Sequence, residues 1–155
     1  FYLSFILIKR SIIPFIKVGL IPAVGSSNIN ILGSFINAIA HSNNFSVVRD
    51  FCGHGVGLNF HENPSILHYY DKDYDDIKFV DGMIFTVEPM INAGKYHSKI
   101  LNDGWTAVTK DKKLSAQFEH TVGITDDGYE IFTKSKKGLD HPPYSIWLKD
   151  ILEKN

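Results

Sequence analysis

The chain has 155 residues, 16 lysines and arginines against 17 aspartates and glutamates, and a formal net charge of -1. No excess of either sign points to a nucleic acid or an anionic membrane as partner. The length supports one domain with its own core, without the disulfide or metal staples that shorter chains need.

The sequence opens on Phe1 rather than Met and is expected to begin inside a longer protein. The apolar run Phe1 to Ile8 ends at Lys9-Arg10, well short of the roughly 20 residues a membrane span needs. It lacks the basic flank and cleavage site of a signal peptide; a buried strand, or sequence from a faulty gene assignment, is expected instead. Residues 1–30 read as irregular, with Pro14, Pro22 and a turn-rich Gly25-Ser26-Ser27-Asn28. From Ile31 the apolar residues Ile31, Leu32, Phe35, Ile36, Ile39 and Ala40 fall on one helical face. Asn28 or Asn30 serves as the cap, and the helix ends near Asn43-Asn44.

Strands follow. Ser46 to Arg49 is short and β-branched; Met83 to Glu88, Trp105 to Thr109 and Tyr129 to Thr133 each follow an Asp-Gly pair, and Phe118 to Thr125 runs into the last of these. Asp-Gly marks tight turns, so the segment predicts an antiparallel sheet packed on helix, an α+β arrangement. Cys52, the only cysteine, cannot form an internal disulfide; it is expected to be a small buried residue and fits a reducing compartment. The tail from Lys134 ends in an apolar cluster, Ile146, Trp147, Leu148, Ile151 and Leu152, expected to form an amphipathic helix docked on the domain.

The chemistry concentrates in three places. Cys52-Gly53-His54-Gly55-Val56-Gly57-Leu58-Asn59-Phe60-His61-Glu62 sets glycines around a histidine, which lets the backbone pass close to a neighbour or take unusual φ. The spacing is neither a dinucleotide loop nor a phosphate loop, and Ser65 stands where a zincin would carry its second histidine. Glu88 and Glu119 each lie in an apolar strand-like run, where a carboxylate is costly unless paired or bound to metal. One imidazole and two carboxylates suit Zn, Mn, Fe or Co. The acidic run Asp71 to Asp76 imitates a calcium loop but has Asp76 and Gly82 where that loop needs Gly and Glu; it is expected to be a solvated loop.

Taken together, Ser46 to Arg49, Cys52 to Gly57, Phe60-His61, Phe85-Thr86-Val87-Glu88-Pro89-Met90, Asp103-Gly104-Trp105-Thr106 and Ser115-Ala116-Gln117-Phe118-Glu119-His120-Thr121 resemble the methionine aminopeptidases in order and spacing. The short stretch between Glu88 and Glu119 is similar to type I members, which lack the long helical insertion of type II. The resemblance implies residues 31–133 as the C-terminal part of a pita-bread catalytic domain, with 1–30 outside it and 134–155 as a tail. It implies two divalent metal ions, His54 and Glu88 on one and Glu119 bridging both. Glu88 would also handle the proton of the attacking water, and His61 would contact the scissile carbonyl. Phe60 and Trp105 would wall the methionine pocket, and Ser115 would lie near a monovalent-cation site. The implied substrates are nascent polypeptide N-termini, with the ribosome as a partner and the cytoplasm or an organelle as the location. A non-catalytic binding protein on the same fold is the alternative.

One departure matters. The family draws two aspartate ligands and a further histidine from its N-terminal half, and in this sequence no acidic residue precedes Asp50. The expectation is a half-site: a fragment without its N-terminal half, inactive and poorly folded alone because apolar surface is left uncovered.

Overall fold

The computed structural model describes residues 28–136. The expected N-terminal strand and C-terminal helix lie outside them. Helix α1 (Ile29–Ser42) is followed by ten short strands: β1 (Ser46–Val47), β2 (Gly53–Gly55), β3 (Glu62–Ile66), β4 (Ile84–Val87), β5 (Met90–Asn92), β6 (Ser98–Ile100), β7 (Ala107–Thr109), β8 (Ser115–Gln117), β9 (His120–Thr125) and β10 (Gly128–Ile131).

The strands form a five-stranded sheet in the order β10-β9-β4-β2-β3, a three-stranded sheet β1-β5-β8 and a hairpin β6-β7. Every pairing is antiparallel. Helix α1 and the inner faces of both larger sheets share one core: Ile29, Leu32, Ile36 and Ala40 meet Val47, Ile66, Phe85, Val87, Ile91 and Val122. Phe79 stacks on Phe85 with centroids 4.7 Å apart. Cys52 is half-buried and packs at the edge of this core. Outside it, Leu58, Phe60 and Trp105 are exposed.

The helix differs from its reading in the sequence. It starts at Ile29, which is fully buried, whereas Ile31 is 44% exposed. The cap is Asn28, whose side chain accepts from the Ile31 amide at 2.9 Å, and the buried face runs through Ile29, Leu32, Ile36 and Ala40, which leaves Ile31 on the far side of the helix. The acidic run is not simply solvated. Asp76 accepts from the Asn28 side chain and, at 3.1 Å, from the Asn30 amide, and Asn30 exchanges hydrogen bonds with the Asp71 backbone at 3.0 and 3.1 Å. Carboxylates at a helix N-terminus satisfy its free amides and complement its dipole.

The run Phe118 to Thr125 is not one strand. The chain leaves β8 in one sheet at Gln117 and enters β9 in the other at His120, so Glu119 lies in the break. Glu88 likewise falls just beyond β4, in the crossing to β5. Pro89 follows it and has no N–H to offer a ladder, so the pairing stops there. Trp105 precedes β7 rather than starting it, because the Asp103 carboxylate holds the Trp105 and Thr106 amides in the turn at 3.0 and 2.9 Å.

Candidate metal centre

Both glutamates come from the crossings between the two sheets. Val87 pairs with His120 in one, and Met90 pairs with Gln117 in the other. The register is continuous through the gap and sets Glu88 opposite Glu119. Directly opposed residues project to one face, which is why two carboxylates 31 positions apart converge.

His54 arrives from β2, between β4 and β3. The glycines on either side are there for close approach: a Cβ at Gly53 would stand 2.3 Å from the Thr86 carbonyl oxygen, and one at Gly55 2.3 Å from that of Asn63. Between His54 and Gly55 the β2–β3 register shifts, a bulge of the kind that re-aims a side chain. The His54 ring Nδ1 lies 2.9 Å from the Gly55 carbonyl oxygen. A carbonyl only accepts, so it assigns the hydrogen to Nδ1 and leaves the Nε2 lone pair for the site. That Nε2 stands 3.7 Å from Glu88 Oε1.

One donor atom from each of His54, Glu88 and Glu119 lies within 4.8 Å of the others. Two facing carboxylates and an imidazole lone pair repel one another unless a cation joins them, so this donor set fits a divalent ion. Burial pushes the Glu88 carboxyl above its ordinary range; a hydrogen bond from Thr86 opposes the rise and the charge of Glu119 adds to it.

Side chains the sequence did not single out hold these groups. Thr86 Oγ1 accepts from the His54 amide at 3.0 Å and donates to Glu88 Oε1 at 2.8 Å. Gln117 Nε2 donates to Glu88 Oε2 at 3.1 Å. Each sits two residues before a glutamate, which in an extended chain is the same face; that spacing was the available signal. His68 Nε2 accepts from the Glu88 amide at 3.2 Å. Its only mark in the sequence is a polar residue following Ile66-Leu67.

His61 and Phe60 join His54. Ring centroids of His54 and His61 are 4.2 Å apart, those of His54 and Phe60 5.3 Å, and those of Phe60 and His61 4.7 Å. The loop carrying them is fastened by Glu62, whose carboxylate accepts from the Asn59 amide at 2.7 Å. Trp105 is not gathered in: its side chain is 88% exposed, and among the described residues no ring contact links it to this cluster. Ser115 opens β8 opposite Asn92; the Asn92 Oδ1 is buried and lacks a hydrogen-bond partner among the described residues.

A family profile described as metallopeptidase family M24 matches residues 24–126. The chain is 55% identical over 114 residues to the methionine aminopeptidase of Rickettsia prowazekii, covering 73% of this chain and 44% of that protein. It is 49% identical over 109 residues to that of Escherichia coli K12, covering 70% and 41%. Among solved structures, the Thermotoga maritima methionine aminopeptidase aligns with a TM-score of 0.74 at 34% identity, covering 81% of this chain and 50% of that one. The Pyrococcus furiosus prolidase aligns at 0.58 and 26%, covering 83% and 32%. The chain thus spans less than half the length of these two curated relatives.

Proposed function

The chain belongs to metallopeptidase family M24 and has its pita-bread type of fold, and from that premise we propose that it contributes a metal site to the removal of N-terminal methionine from nascent polypeptides. The observation that carries the proposal is the convergence of His54, Glu88 and Glu119 within 4.8 Å. His54, Glu88 and Glu119 would hold one divalent ion, drawn from Co, Mn, Fe or Zn, and Glu119 would also serve a second. When bound, such ions lower the pKa of water and polarise a carbonyl.

The chain's own groups do the rest. Glu88, whose proton affinity is raised by burial, takes the proton of the attacking water. His61, exposed beside His54, donates toward the oxygen of the scissile carbonyl as charge develops there. Phe60 supplies apolar wall beside them; Trp105, assigned to the same wall by motif, stands exposed in the β6–β7 turn. Apolar fit of this kind separates methionine from other side chains only modestly. Ser115 and the unpartnered Oδ1 of Asn92 supply oxygen for a monovalent cation. A substrate emerging from a ribosome, in the cytoplasm or an organelle, is the corresponding setting.

These residues supply one imidazole and two carboxylates to a centre that needs more, so the 155 residues alone are expected to bind metal without turnover. Calorimetric titration of the metal-free chain with MnCl2 tests the ligand set. Saturable binding that is lost in Glu88→Gln and His54→Ala supports it; binding unchanged in both variants overturns it. Release of methionine from a Met-Gly peptide by this chain alone would overturn the claim of incompleteness.

A further inference from the structure

We infer that His68 is a positioning residue for Glu88: its buried ring nitrogen accepts the Glu88 backbone N–H where the sheet ladder breaks, and so fixes where the carboxylate enters the site. The inference rests on the metal-site reading above and extends it to a residue that touches no metal.

The backbone shows why such a residue is needed. Strand β4 ends at Val87, whose ladder partner is His120, and Pro89 carries no N–H. The Glu88 amide is therefore the last donor before the crossing, and its acceptor is a side chain, His68 Nε2 at 3.2 Å, rather than a strand carbonyl. The carboxylate end of Glu88 is separately held by Thr86 and Gln117. His68 holds the amide at the main chain, where Gln117 Nε2 also reaches the Glu88 carbonyl oxygen at 3.4 Å. Without His68 the Glu88 amide has no acceptor, and between the flanking ladder pairs the main chain keeps only that long contact.

The chemistry of the ring fits the task. His68 is 2% exposed and follows Ile66 and Leu67 of the core. To accept at Nε2 the imidazole must be neutral with its hydrogen on Nδ1, and a ring this deeply buried among apolar side chains disfavours a charge. A charged ring would turn a second donor toward the Glu88 N–H. The ring also joins the exit of β3 to the exit of β4, so the strand that pairs with the His54 strand is tied to the residue that shares its metal.

An ordinary buried histidine satisfied by a nearby amide would show the same hydrogen bond, so the test must read the site rather than the fold. His68→Phe keeps a ring and removes the acceptor; His68→Gln can return an acceptor oxygen near the Nε2 position. In the 155-residue chain, MnCl2 titration should show affinity weakened about tenfold or more in His68→Phe and restored to within about threefold in His68→Gln, the size seen when groups behind metal ligands are removed. Melting of the metal-free variants is recorded alongside. Equal Mn2+ affinity in His68→Phe and parent overturns the inference, and so does an equal loss in His68→Gln and His68→Phe, which marks a packing role only. Should His68→Phe not melt cooperatively, the imidazole 15N shifts of the parent decide: a bare Nε2 with hydrogen on Nδ1 supports the inference, and hydrogen on Nε2 overturns it. A parent chain that takes up no Mn2+ removes the metal-site reading, and this inference with it. A parent that binds while His68→Phe binds equally removes only the inference.

Discussion

Glu88 and Glu119 face each other across a gap in one antiparallel register, bounded by the pairs Val87–His120 and Met90–Gln117. Like charges opposed on a sheet are destabilising by roughly 0.2–1 kcal/mol, a cost that a bound cation reverses. Glu119→Gln should therefore leave the metal-free chain as stable as the parent or slightly more so, while lowering Mn2+ affinity. Thermal melts with and without MnCl2 check both halves. A variant that loses stability without metal contradicts this account of the pair.

Thr86 is the hinge between His54 and Glu88, accepting from one and donating to the other. Thr86→Val keeps the shape and deletes the hydroxyl, leaving the His54 amide without its acceptor. A buried donor left unsatisfied costs about 1–3 kcal/mol, so the urea midpoint should fall, and Thr86→Ser should recover most of the loss. Thr86 is only 1% exposed, which leaves water little room to substitute.

Gly55 lies against the Asn63 carbonyl, with 2.3 Å available where a Cβ would sit. Neither partner is a flexible side-chain tip, so the strands must move apart. Gly55→Ala is expected to cost at least about 1–3 kcal/mol, the usual range for overpacking. It should also displace His54, visible as weaker Mn2+ binding in whatever fraction remains folded. A Gly55→Ala chain with parental melting and metal affinity would rule out close approach as the reason for glycine there.

The buried neutral His68 sets a pH dependence of stability. Its folded pKa is about 3 against an ordinary 6.5, so between those values the unfolded chain binds a proton that the folded chain refuses. Stability therefore falls as pH drops from 6.5 toward 3, by up to about 1.4 kcal/mol per pH unit, and this contribution is absent above 6.5. Unfolding free energies from urea titrations at pH 7.5 and 5 should differ by about 2 kcal/mol more in the parent than in His68→Gln, which has no such proton to take up. Identical slopes in the two chains would show that His68 is not the group responsible.

What the sequence conveyed, and what it hid, divides by mechanism. The apolar stripe of α1 was legible because burial on one face leaves a period in the sequence; β4 and β9, buried on both faces, were legible as apolar runs bounded by Asp-Gly turns. Gly53-His54-Gly55 has no strand propensity at all, and it pairs because two neighbouring backbones need the space its glycines leave. Glu62 to Ile66 contains Pro64, which argues against a strand; it forms one because β3 is the edge of its sheet. The break at Phe118-Glu119 was invisible, since residues on either side are equally strand-like and only the partner changes. At the site, His54, Glu88, Glu119, Phe60 and His61 were carried by motif, and the structure gathers the first three as one donor set and the last two beside His54. Thr86, Gln117 and His68 act on other residues rather than on a ligand; the first two leave only a two-residue spacing before a glutamate, and His68 leaves no pattern to read.

The fastening of α1 to the acidic loop also bears on the order in which the chain folds. The Asn30 amide is satisfied by Asp76, 46 residues away, and the Ile29 amide by the Ile77 carbonyl at 3.1 Å. Closing a loop of that length costs about 3 kcal/mol in chain entropy before either bond forms, and the local Asn28 cap alone offers less than that in return. An isolated helix of 14 residues is marginal in water. Helix α1 comes first in the described chain, yet its first turn is completed only after residues 71–77 have returned to it. The stability of that first turn is thus coupled to the packing of residues 71–77 against it.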